Sequence, residues 1–149
     1  MSNKVIRAEE AVNLITDRAA LTVEGSGGGL LEPDLLLKTL EQRFLKTGHP
    51  QNLTLIHCTG IGDRKAGGIG HLAHKGLVKR VIAGNWAMAP KMGKLALENQ
   101  IEAYNFPQGV LSKMYREIAS GMPGIVTKVG METFIDPRVE GGKLNEVTK

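Results

Sequence analysis

ALTVEGSGGGLLEPDLLLKTLEQRFLKTGHPQNLTLIHC, residues 20–58, decides the fold. Ala20 to Val23 is a short β-rich run that empties into Gly25-Ser26-Gly27-Gly28-Gly29. Pro33 and Asp34 then open an amphipathic stretch through about Lys46. Leu36, Leu37, Leu40 and Phe44 recur on one helical face, Pro33 suits the N1 position, and Gly48 closes the helix. Leu53 to Cys58, LTLIHC, is again β-rich. Strand, glycine loop, helix, strand is one βαβ unit.

Working outward, the same alternation continues. A short helix is expected over 8–15, with Ala11, Val12 and Ile15 on one face. After Cys58 comes a glycine-laden loop over 60–70 and a short helical piece over 71–75. A third strand follows at 78–83, then the loop Gly84-Asn85-Trp86 and a helix over 91–99. A fourth strand at 101–106 leads through Pro107-Gln108-Gly109 to a helix over 110–119 that ends at Gly121. A fifth strand is expected at 125–129. The pattern predicts an α/β fold with a mostly parallel sheet flanked by helices. Ligands of such sheets sit beyond the carboxyl ends of the strands, and the glycine clusters fall there.

Residues 1–131 therefore read as one α/β domain. From Glu132 to Lys149 the chain carries Pro137, Gly141, Gly142 and many charges but little apolar periodicity. That tail reads as the start of a connection to a second domain.

The 149 residues are 42% hydrophobic and 23% charged, ordinary proportions for a globular domain. A net charge of +4 is spread along the chain, aromatics are only 4%, and the densest basic stretch, Lys75 to Arg80, is small. Those signals argue against nucleic-acid binding and suit an anionic small molecule. The single cysteine, Cys58, excludes an internal disulfide framework. The opening residues hold no apolar signal core, and no run is long enough to span a bilayer. A cytoplasmic protein without membrane contact is expected.

Each motif has a plain alternative. The 25–29 cluster could offer backbone N–H groups to an anion at a helix start, or be a tight turn. It is no dinucleotide fingerprint: Leu30 stands where a third glycine belongs, and the second strand ends His57-Cys58 rather than in an acid. His71 and His74 share a helical spacing but lack a third metal ligand, so packing or surface roles are favoured and no metal is expected. Cys58 reads as an inert thiol at a strand end, and His57 has the same standing. Glu24, Glu32 and Asp63 lie near the ligand edge, yet none has a setting that marks a nucleophile; helix-start and surface roles suit Glu32 and Asp34. Gln108 could present its amide to a carboxylate or simply face solvent.

Several stretches together resemble the family I coenzyme A transferases, most of all the single-chain acetate/propionate subgroup. They are GSGGGLLEP (25–33), CTGIGDR (58–64), HLAHKGLVKRVIAGNW (71–86), ENQIEAYNFPQGVL (98–111), and PGIVTKVGMETFIDPR with GGKLNEVTK (123–149). The resemblance implies a Rossmann-like CoA-transferase domain. It implies an enzyme that moves CoA from an acyl-CoA to a free short-chain carboxylate by ping-pong through a glutamyl-CoA thioester. CoA is then a substrate, and no cofactor is expected. The nucleophilic Glu belongs to the family's second domain, so no catalytic residue is assigned here and the chain alone is expected to be inactive. Gly27, Gly28 and Gly29 match the glycine-rich loop near the acyl group, although this cluster has no aromatic residue. Gln108 matches the Pro-Gln-Gly position facing the cleft, and Asn85 and Trp86 match the loop after the third strand. Expected partners are a second CoA-transferase domain or a separate catalytic subunit, with self-association into a homo-oligomer. A sugar-phosphate isomerase on a related fold would need a full set of acids and bases that the chain does not supply.

Overall fold

A computed structural model describes residues 4–149; the first three, part of the stretch read as lacking a signal core, lie outside it. Helix α1 (Ala8–Asn13) precedes strand β1 (Ala20–Thr22), helix α2 (Asp34–Thr47) and strand β2 (Leu53–His57). A 3-10 turn (Gly68–Leu72) leads to β3 (Val78–Ala83), α3 (Pro90–Leu97), β4 (Glu102–Asn105) and α4 (Gln108–Ala119). A second 3-10 turn, Glu146–Thr148, ends the order. All pairings are parallel, and the sheet runs β1-β2-β3-β4.

Register explains which residues are buried. Leu21, Leu55, Val81 and Ala103 form one row across the sheet, and the last three are fully buried. They join Val12 of α1, Leu37 and Leu40 of α2, Ile69 and Leu72 of the 3-10 turn, and Met92 of α3 in one apolar core. Each buried aliphatic side chain contributes roughly 1.5–3 kcal/mol. α2 ends as its glycine predicts: Gly48 sits at φ 74 and returns its N–H to the Phe44 carbonyl at 2.7 Å. Pro33 is one residue earlier than expected, at the N-cap position of α2 rather than N1.

The opposite sheet face carries Thr54, Arg80 and Glu102 in one row, and Ile56, Ile82 and Tyr104 in the next. α4 covers its carboxyl end, burying Leu111.

The expected fifth strand does not form. Residues 125–129 run without strand pairing, and Val126 is fully exposed. The reason lies at the β4 edge, where residues 142–144 pair instead. Asn105 donates to the Gly142 carbonyl at 2.8 Å, and Leu144 to the Ala103 carbonyl at 2.9 Å, around an antiparallel Tyr104–Lys143 bridge. With that edge taken, β-branched composition alone cannot make 125–129 a strand.

The polar segment after Glu132 is ordered by its polar groups rather than by apolar spacing. Asp136 is buried and bonded to Arg138, with Nη2 to Oδ2 at 2.5 Å, and accepts the Glu132 N–H. Asn145 donates to the carbonyls of Ala96 and Ile101 at 2.9 and 2.8 Å. Among the described residues no helix is long and apolar enough to cross a membrane.

Candidate functional site

The loops leaving the carboxyl ends of the four strands pack against one another, and glycine permits it. At Gly27, with φ 81, a Cβ would stand 2.9 Å from the Gly60 carbonyl oxygen. At Gly84, a Cβ would stand 2.3 Å from the Cys58 carbonyl oxygen and 2.8 Å from Cγ of Gln108. The β1, β2 and β3 loops and the start of α4 therefore share one edge.

Carboxylates hold these loops in shape. Glu32 Oε1 accepts the N–H groups of Gly29 at 3.1 Å and Gly62 at 2.9 Å. Asp34 Oδ1 accepts from Gly68 N at 2.8 Å. Asp63 Oδ1 accepts from Lys65 N and Gly67 N, and these backbone donors lower its pKa. Glu32 and Asp63 thus accept from the loops themselves, whereas Asp34, exposed as the first residue of α2, keeps the helix-start and surface role expected of it while also accepting from Gly68.

Of the residues expected to touch substrate, Gly27 and Gly28 carry backbone N–H groups with no acceptor among the described residues. Gly29 donates inward to Glu32 instead. Both Gly27 and Gly28 have positive φ, 81 and 67, so the loop shape favours glycine. Asn85 is exposed, and its Oδ1 accepts from Ala87 N at 3.0 Å. Gln108 is exposed as the first residue of α4, and its side-chain amide makes no hydrogen bond among the described residues. Trp86 lies apart from these: its ring packs against the core, and its buried Nε1–H has no partner among the described residues. Leu30 and Leu31 stand exposed at the same glycine loop, Leu31 at φ 54. Two neighbouring exposed leucines after a glycine run were the signal for them.

Glu24 anchors the centre of the edge. Its Oε1 accepts Cys58 N–H at 2.9 Å and the Tyr115 hydroxyl, and its Oε2 accepts the Cys58 thiol at 3.0 Å. Burial, followed by the bond to Glu24, pushes the Cys58 thiol up; the same two causes raise the Tyr115 phenol. Cys58 is half-buried and held as a thiol, consistent with the inert role expected of it. Tyr115 was missed. Its signal was helical spacing, because Gln108, Leu111 and Tyr115 follow at i, i+3 and i+7 along α4. His57 is buried, and its Nδ1 donates to the Thr59 carbonyl at 2.7 Å. Burial lowers its pKa, which favours the neutral imidazole.

His71 and His74 both bond Glu41, at 2.8 and 2.7 Å, and His71 Nε2 lies 3.3 Å from Asp34 Oδ1. They tie α2 to the 3-10 turn Gly68–Leu72. Chemically, the edge offers two free amide donors, two side-chain amides and an apolar rim. That set can hold a carboxylate or a carbonyl oxygen.

A family model for coenzyme A transferase matches residues 5–148. The chain is 50% identical over 145 residues to the acetate CoA-transferase YdiF of Escherichia coli K12, covering 97% of this chain and 27% of that protein. It is 31% identical over 136 residues to the alpha subunit of an acetoacetyl-CoA:acetate/butyrate CoA transferase of Clostridium acetobutylicum, covering 91% of this chain and 59% of the subunit. A crystal structure of the YdiF acyl-CoA transferase of E. coli O157:H7, as a thioester complex with CoA, superposes with a TM-score of 0.92 at 49% identity. It covers 97% of this chain and 30% of its own. The chain thus spans less than a third of these single-chain relatives. Matched almost end to end in sequence and in fold, it belongs to the coenzyme A transferase family.

Proposed function

We propose that this chain is the first α/β domain of a cytoplasmic acyl-CoA:carboxylate CoA-transferase, in which it forms one wall of the active-site cleft. Residues 1–131 make that domain, and 132–149 open the connection to a second. Substrates are an acyl-CoA and a short-chain carboxylate, with CoA exchanged between them.

One observation carries this reading. The strand-end edge presents free donors at Gly27, Gly28 and Gln108, while Glu24, Glu32, Asp34 and Asp63 are each engaged as internal acceptors. Such an edge can bind an oxyanion but has no carboxylate set up to attack. In the proposed reaction, a Glu from the second domain attacks the thioester carbonyl and expels CoA thiolate, leaving an acyl-glutamyl anhydride. The thiolate then attacks the glutamyl carbonyl, releasing the free acid and forming the glutamyl-CoA thioester; the acceptor carboxylate reverses both steps. Gly27 and Gly28 N–H groups stabilise the oxyanion of the tetrahedral species, and the amides of Gln108 and Asn85 orient the carboxylate. Water must be excluded, because hydrolysis of either intermediate would lose the CoA.

A second reading follows from the Clostridium relative, which is an alpha subunit. The chain would then act as a non-catalytic subunit docked to a separate catalytic chain.

Incubating the 149-residue chain with acetyl-CoA and propionate should give no propionyl-CoA. Adding the remainder of the E. coli relative should restore exchange. Steady exchange by the chain alone, or a covalent CoA adduct on one of its carboxylates, would refute the assignment.

A further inference from the structure

Parallel sheets are normally covered on both faces, because their βαβ crossovers lay helices on each. Here one face is sealed by α1, α2, α3 and the turn Gly68–Leu72. The other bears α4 alone among the helices, over its carboxyl end, and it divides into two chemically distinct regions.

Between α4 and residues 125–137 lies an apolar groove of about 490 Å³, lined by Ile82, Phe106, Val110, Met114, Val129 and Ile135 among others. At the amino end of the same face, in the Thr54–Arg80 row, lies a polar cavity of about 450 Å³. Arg18, Asn52, Thr54, Lys79 and Arg80 line it. Glu102 pairs with Arg80 at 2.5 Å and Lys79 at 3.6 Å, which leaves one carboxylate against three cations. The side chains of Arg18, Asn52 and Thr54 make no hydrogen bond or ion pair among the described residues. Two further exposed apolar residues, Ile118 and Met122, follow along and just after α4.

We propose that this open face docks an amphipathic helix with an apolar stripe and an acidic end, supplied by the remainder of the enzyme. The proposal rests on the CoA-transferase reading and specifies where the rest of that enzyme packs. Three observations select this occupant. The sheet type calls for a helix. The spacing of apolar groove and cationic cavity along one face calls for an apolar stripe followed by carboxylates. The curated acetate CoA-transferase has nearly three quarters of its length beyond the part matched here, ample chain to supply it. A second copy of this chain fits less well, because it would bring the same Arg18, Lys79 and Arg80 to the same face.

The test co-expresses the 149-residue chain with the polypeptide that completes the E. coli relative, and measures their association by affinity capture and native mass spectrometry. A 1:1 complex is expected. Met114→Asp in the groove and Arg18→Glu in the cavity should each weaken it about tenfold or more. The Arg18 contribution should fade at high salt. Hydrogen exchange should slow in Val78–Ala83 and Gln108–Ala119 on binding. Circular dichroism and thermal melting of each variant alone separate lost docking from lost folding; Arg18, exposed and unpaired, keeps the test sound if Met114→Asp unfolds. No complex, a complex indifferent to both substitutions, or a homodimer abolished by Met114→Asp would each overturn the proposal. A complex formed through this face that fails to exchange CoA would instead sink the catalytic reading alone.

Discussion

At Cys58, burial and the neighbouring Glu24 carboxylate push the thiol in the same direction, away from thiolate. Folding raises this pKa, so the group contributes stability below the ordinary thiol value, and that contribution is lost as pH climbs through the folded one. Alkylation by iodoacetamide at pH 8 should therefore be slower than for a free thiol. Glu24→Gln removes the charge but keeps an acceptor, and should speed the labelling several-fold; an unchanged rate would show that burial alone holds the thiol. The sequence marked Cys58 as quiet from its place at the end of an apolar strand. It could not show the carboxylate responsible, since Glu24 stands 34 residues away and Tyr115 lies 91 beyond Glu24. Trp86 shows the same limit: the resemblance placed its loop on the cleft side, and the packing of its ring against the core could not be read from the sequence.

Among the elements, β3 and α4 meet the end of β2 at Gly84, where the space for a side chain is filled by the Cys58 carbonyl and Gln108. Gly84→Ala should destabilise the chain by about 1–3 kcal/mol through overpacking. The same change at Gly93, within α3 and with nothing near its Cβ, should be neutral or stabilising by as much as about 1 kcal/mol. Paired urea melts would decide, and equal effects would show that the close approach at Gly84 is easily relieved. Periodicity and punctuation made the four strands and four helices legible: Gly48 closed α2 as a glycine should, and apolar spacing marked the face that Leu37 and Leu40 bury. The unformed strand at 125–129 was misread because strand identity depends on an available edge. Residues 142–144 take that edge, although nothing in their own composition favours a strand.

For the molecule as a whole, the sheet is bounded on one side by the three-residue β1 and on the other by the returning tail. Asn145 fastens that tail by two side-chain bonds to carbonyls and accepts from Ala103 N at 3.4 Å. Asn145→Ala should cost about 1–3 kcal/mol by leaving those buried groups unpaired. It should raise hydrogen exchange at Asn105 and Leu144 before the β2 and β3 amides respond. Uniform acceleration across the sheet would instead mean that the tail is integral to the core.

The order β1-β2-β3-β4 also bears on how the polypeptide acquires its shape while it is being made. Each strand finds its neighbour already synthesised, so the sheet can lengthen in step with translation and no nascent segment has to wait for a distant mate. The outer edge of β4 stays unpaired until Lys143 has been made, so residues 142–144 close that edge after the four strands are in place.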